Sequence, residues 1–104
     1  MAIYTLGKKT GEYEIAPRDS RKSFYGKARV GTYESGARVL YSYNTPVIAE
    51  IDGEYIDLWG DWTATTGRHI ASFCGLNKAQ VMELKLGRKK ESDSHGVETI
   101  VVEE

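Results

Sequence analysis

The chain has one cysteine, two prolines and no long apolar run among its 104 residues, and each shortage excludes a class of protein. With Cys74 alone, an intramolecular disulfide is impossible, and no Cys/His cluster has the spacing of a structural zinc site. Residues 1–9 hold no extended apolar stretch, and no segment nears the roughly 18 apolar residues that span a bilayer. The expected compartment is therefore cytoplasmic, with no membrane partner, and Cys74 is expected to be a buried, inert thiol. Scarce proline and balanced charge argue against wholesale disorder. A formal net charge of −1 supplies no overall pull toward nucleic acid. No catalytic signature, metal motif or phosphate-cradling loop stands out, so no cofactor is expected and the chain reads as non-enzymatic.

What is present favours strands. Seven tyrosines outnumber two tryptophans and two phenylalanines, a balance that suits rings packed along a pleated surface with hydroxyls at its rim. A hydrophobic content of 40% is enough for one core, and residues 1–104 read as a single domain. The clearest local signal is Val47–Trp59. Asp52-Gly53 at its centre suits a two-residue type I′ turn, because both residues take positive φ cheaply. That turn pairs Ile51 with Glu54, Ala49 with Ile56 and Val47 with Leu58. A second hairpin is expected from Phe24–Tyr33 and Ala37–Tyr43 around Ser35-Gly36, placing Ala28, Val30 and Thr32 opposite Tyr43, Tyr41 and Val39. Asn44-Thr45-Pro46 should break the strand there, since Pro46 cannot donate to a ladder. Ala2–Leu6 and Glu12–Ala16 bracket a Gly-Lys-Lys-Thr-Gly segment and could form a further hairpin, joined onward by a polar connector at 17–22. Thr99–Val102 reads as a final strand at a sheet edge, and residues 87–96, with no large apolar side chain, as a mobile loop.

Two short helices are expected between these parts. Thr63 or Thr65 can cap the first by accepting an orphan N–H of its opening turn. Ile70, Phe73 and Cys74 have the i, i+3, i+4 spacing of a core-facing stripe, and Gly75 is placed to end the helix in the left-handed conformation. Asn77 can cap a second helix over Lys78–Lys85, with Val81, Leu84 and Leu86 facing inward. The expected fold class is α+β: an antiparallel sheet of four to six strands built from hairpins, two short helices and a C-terminal edge strand.

Three clusters are candidate sites. Trp59 and Trp62 flank Gly60-Asp61, and Trp59 falls on the less apolar face of its strand, where it could anchor a protein partner. Arg68 and His69 follow a threonine-rich turn. His69 could serve as a general base with Thr65 or Thr66 as the hydroxyl and Asp61 orienting the ring, but the spacing matches no triad order. Their expected role is to hydrogen-bond the threonine turn or nearby strand ends, locking helix to sheet. In the third cluster, Ala71, Gly75 and Val81 fit a helix-turn-helix unit over residues 65–90. Lys78, Gln80 and Lys85 would then face DNA, with Arg88, Lys89 and Lys90 beyond for phosphates. An acidic run at Glu50, Asp52, Glu54, Asp57 and Asp61 precedes this basic one, and both are also what solvated faces look like.

Ser23–Ala28 reads Ser-Phe-Tyr-Gly-Lys-Ala, Leu40–Thr45 reads Leu-Tyr-Ser-Tyr-Asn-Thr, and Thr65, Thr66, Arg68, His69 and Ile70 form a Thr-Thr-x-Arg-His-Ile segment. In these segments the chain resembles an uncharacterised domain family of Gram-positive bacteria, their phages and plasmids. The resemblance runs from about Ser23 to Phe73. It implies a small accessory protein of a mobile element and carries no activity or catalytic residue with it.

Two functions follow as expectations. The first is a non-enzymatic module that binds a host or phage protein through Trp59, Trp62, Arg68 and His69, with inhibition of a host defence system as one form. The second is a DNA-binding regulator acting through residues 65–90.

Overall fold

The computed structural model describes residues 2–15, 26–59, 63–90 and 94–102. Among them are seven strands and two helices: β1 (Ala2–Glu14), β2 (Ala28–Tyr33), β3 (Arg38–Ser42), β4 (Thr45–Ile51), β5 (Glu54–Asp57), α1 (Ala64–Cys74), α2 (Lys78–Met82), β6 (Gly87–Lys90) and β7 (Val97–Val102). The α+β expectation holds broadly, but the sheet has seven strands in place of four to six, in the order β5-β4-β3-β2-β1-β7-β6. Every pairing of neighbours is antiparallel. The two outermost strands meet at a single parallel bridge between Asp57 and Leu86, where the Asp57 N–H donates to the Lys85 carbonyl. The sheet thereby curls almost into a barrel.

The β4–β5 hairpin has the expected register, with Ile51 opposite Glu54 and Ala49 opposite Ile56. Its turn residues Asp52 and Gly53 have φ of 51° and 83°, as a type I′ turn demands. The β2–β3 hairpin is one residue off the expected register. Ala28, Val30 and Thr32 lie opposite Ser42, Leu40 and Arg38. The loop uses three residues: Gly36 N–H donates to the Tyr33 carbonyl, and Tyr33 N–H donates to that of Ala37. Gly36 takes a φ of 90° after the turn, the left-handed position that a three-residue loop needs.

Residues 43–46 do not break the sheet. Tyr43 and Asn44, at φ of 52° and 72°, form a tight turn that leads directly into β4. Pro46 is accommodated where the β3–β4 register shifts between Leu40 and Tyr41, since a bulge releases the ladder bond a proline cannot make.

The expected N-terminal hairpin is instead one long strand. β1 pairs with β7 through residues 2–8 and with β2 through residues 9–14. It changes partners across two register shifts, the first at Gly7, which has a φ of 84°. The loop expected at 87–96 opens with strand β6, whose four residues pair with β7. Gly87 permits this closely packed position: a Cβ there would lie 2.9 Å from Ile56 Cγ2 and 3.1 Å from Val102 Cγ2.

Two apolar clusters result. Inside the curl lie Leu6, Tyr33, Val39, Ala49, Ile51, Ile56, Ile100 and Val102. Outside it, α1 and α2 cover Val30, Leu40, Val47 and Ile48 with Ile70 and Val81. Thr63 caps α1 by accepting from the Thr66 N–H, and Gly75 ends it at a φ of 77°. Asn77 caps α2 in a reciprocal box with Gln80, but α2 stops at Met82. Leu86, expected to face inward, is 56% exposed, because the chain has already turned into the closing bridge.

Candidate functional site at the joint of sheet and helix

Capped by Thr63, α1 runs past the end of β3, so one face of its first two turns meets Ser42. Thr66 and His69, three residues apart, share that face. Ser42 Oγ is hydrogen-bonded to His69 Nδ1 at 2.8 Å and lies 3.5 Å from Thr66 Oγ1. All three residues are buried, His69 almost completely. Desolvation, followed by the nearby Arg68 cation, holds the imidazole below its ordinary pKa, so the ring is neutral at physiological pH. His69 thus joins helix to strand end, as the sequence suggested, with Ser42 as its partner.

Above this floor the Tyr43-Asn44 turn positions an aromatic ring. Positive φ is uncommon for a bulky residue, and here it sets Tyr43 over His69, with ring centroids 5.8 Å apart. Tyr43 remains 54% exposed. Trp59 lies just beyond β5, 42% exposed, with its N–H donating to Asp57 Oδ1 at 3.0 Å. Asp57 is itself buried, which raises its carboxyl pKa against the lowering effect of that hydrogen bond. Between the two aromatics opens a cleft of about 420 Å³ lined by Ser42, Thr45, Val47, Thr63, Thr65 and Thr66. The cleft is rich in hydroxyls, and its lining carries no formal charge.

A second hollow, about 440 Å³, lies beside Tyr43 and is lined by Glu14, Gly26, Lys27, Arg29 and Asn44. Arg29 bonds Asn44 and pairs with Glu12, while Lys27 Nζ sits 6.0 Å from the Tyr43 ring centroid.

The expected site residues are thus dispersed. Trp59 and His69 adjoin the cleft, one at its rim and one beneath its floor. Arg68 is exposed on α1, and Trp62 and Asp61 lie outside the described residues. The basic residues do not share one face. Lys78 and Gln80 are exposed on a five-residue helix, and the Gln80 side chain accepts from the Asn77 N–H. Lys85 is exposed at the closing bridge, Arg88 and Lys90 point outward from β6, and Lys89 points into the curl. There Lys89 pairs with Glu98, and Tyr33 donates to the same Glu98 oxygen. The acidic run is dispersed too: Arg38 grips Glu50 with two hydrogen bonds at 2.9 and 2.6 Å, and Asp57 is buried. Among the described residues no group of three or more His, Cys, Asp or Glu side chains is placed to hold a metal ion. Nor, among the described residues, is any helix long and apolar enough to cross a membrane.

Ser42, Tyr43 and Thr63 were not singled out as site residues from the sequence. The signal for the first two was the Leu40–Thr45 segment, one of the three that carry the family resemblance. In the fold that segment meets Thr65–Ile70, with Gly26 and Lys27 of the third segment alongside. No curated protein and no solved structure matches the chain. One family model does, over residues 13–93, and the chain belongs to that family of unknown function, DUF8033.

Proposed function

We propose that the protein acts by binding, without chemistry of its own, and that its binding surface for a protein partner is the corner formed by Tyr43, Trp59 and the threonine-lined cleft between them. The observation that carries this reading is the pair of exposed aromatics on a rigid floor. Tyr and Trp supply large contact area at low entropic cost and dominate interface energetics. The Ser42–His69 hydrogen bond beneath them holds helix and strand end in place, so little ordering remains to be done on binding. His69 supports the surface from below, and Arg68 lies one helical turn from Thr65 at its edge. The family resemblance suggests an accessory protein of a phage or plasmid, for which a host protein is the natural partner and a defence component one form of it.

The DNA-binding reading through Lys78, Gln80, Lys85, Arg88, Lys89 and Lys90 draws less support from the geometry. Its second helix spans five residues, about 7.5 Å, and Lys89 is committed to Glu98.

Affinity purification from a bacterial host lysate tests the proposal, using the parent protein beside Tyr43→Ala and Trp59→Ala. A stoichiometric partner lost in both variants is expected. A partner retained equally by both would refute this surface, and DNA retention that weakens steeply with salt would favour the alternative.

A further inference from the structure

We infer that the strained Tyr43-Asn44 turn is kept for the ring it presents, and that Arg29, acting through Asn44, is the positioning residue that holds this ring over the cleft. The inference rests on the binding surface proposed above.

Two turns of one geometry stand side by side in the chain. Ser42 lies opposite Thr45 and Ile51 opposite Glu54, so two residues close each hairpin. Their φ angles are 52° and 72° in the first turn, 51° and 83° in the second. Asp52-Gly53 is a pair that such a turn favours. Tyr43-Asn44 is not. Asn44 tolerates the left-handed region, but a bulky residue there has its Cβ crowded against the following carbonyl oxygen. An asparagine in place of Tyr43 would close the same turn with less strain.

Strain of this kind persists only where the surroundings over-determine the conformation, and it collects at functional positions. Three contacts do so here. The Tyr43 N–H donates to the Lys27 carbonyl at 2.9 Å, and the His69 ring lies beneath the tyrosine. Arg29, on β2, donates from one guanidinium nitrogen to Asn44 Oδ1 and pairs through the other with Glu12 at 3.0 Å. A planar guanidinium held from both sides has little freedom, so Asn44 is clamped and the turn cannot swing the Tyr43 ring off His69.

Urea unfolding and the nuclear Overhauser contact between the Tyr43 and His69 rings test this on the free 104-residue chain. Asn44→Gly supplies a residue the turn favours but removes the acceptor. It should weaken the ring contact at least about twofold, because an unclamped exposed ring samples other rotamers. Arg29→Met should act alike, and Arg29→Lys, which keeps one donor, should retain more of the contact. Tyr43→Asn should leave the urea midpoint unchanged or raised while abolishing capture of the partner. A ring contact that persists in full in Asn44→Gly and Arg29→Met overturns the inference. So does a midpoint lowered by Tyr43→Asn, which would show the ring to be kept for stability. Both readouts are taken without a partner, so they fail separately from the surface. A persisting contact strikes the role of Arg29 alone if Tyr43→Ala and Trp59→Ala still lose the partner, whereas capture retained by both removes the surface itself.

Discussion

Strands β2–β5 and strands β1, β7 and β6 share one curled sheet, but α1 and α2 cover the outer face of the first group alone. In the covered half both faces are buried, so consecutive residues disappear from solvent: Val39-Leu40, and Val47-Ile48-Ala49. In the uncovered half burial alternates. β7 reads half-buried, buried, half-buried, buried along Val97–Val102, and Ile3 on β1 is 61% exposed. A strand's side chains alternate between faces, and what the second face meets decides whether its pattern is continuous or alternating. The covered half also carries the candidate site, because only there does a helix end meet a strand end. The difference teaches that the site was made by adding a second layer to the sheet, not by the sheet itself.

The comparison breaks first on core truncation. Leu40→Ala, fully buried beneath the helices, should cost about 3 kcal/mol in urea unfolding, while Ile3→Ala should stay within about 0.5 kcal/mol. Similar losses at both would mean that the uncovered face is covered in solution. The second test probes the polar group inside the uncovered half. Glu98→Ala strands the mostly buried Lys89 ammonium and deprives Tyr33 of an acceptor, at a cost of about 2 kcal/mol. Next comes the seam between the halves. Gly87→Ala forces a methyl group against Ile56 and should cost about 1–2 kcal/mol, visible as a lowered urea midpoint with unchanged slope.

The smallest effects are in pH dependence, and the halves should differ in sign. His69, in the covered half, has a folded pKa below its unfolded value, so the unfolded chain takes up the proton first. Its contribution is full above about pH 6.5 and falls as pH drops below that. Lys89, in the other half, is pulled down by burial, yet its hydrogen bond to Glu98 and the interactions with Tyr41 leave it net raised. Its contribution is full below about pH 10.5 and is lost as pH rises through the folded value. Unfolding midpoints at about pH 7.5 and 5.5, with and without His69→Gln, isolate the first effect: the substitution should flatten the acid limb.

Legibility in the sequence tracked how local the determining chemistry was. The Asp52-Gly53 turn, the Asn77 cap and the Gly75 stop were readable because a few adjacent residues settle each one, and the cap of α1 was narrowed to Thr63 or Thr65. The β2–β3 register slipped by one because Ser35-Gly36 could close either a two-residue or a three-residue loop. Its flanks, Val39-Leu40 especially, are apolar on both faces and gave no alternation to decide between them. β1 was misread as a hairpin because Gly7 and Gly11 resemble turn residues, although here they accompany bulges. β6 had no apolar pattern at all: Arg88, Lys89 and Lys90 become a strand only because β7 and the Asp57–Leu86 bridge give their backbone partners.

The site follows the same division. That His69 would tie helix to sheet was visible from the threonine-rich turn before it. That its partner would be Ser42, and that Tyr43 would lie above it, was not, because 27 residues separate Ser42 from His69 and no local rule spans that gap. By itself the sequence determined the Asp52-Gly53 turn, the Asn77 cap, the Gly75 stop, the single unpaired cysteine and the α+β class, each a matter of short-range sterics, hydrogen bonding or composition. Tertiary structure alone decided which strand faces would be covered, where the basic and acidic runs would be split, and that two distant segments would close into one cleft. Those outcomes depend on which apolar surfaces find one another when the whole chain collapses.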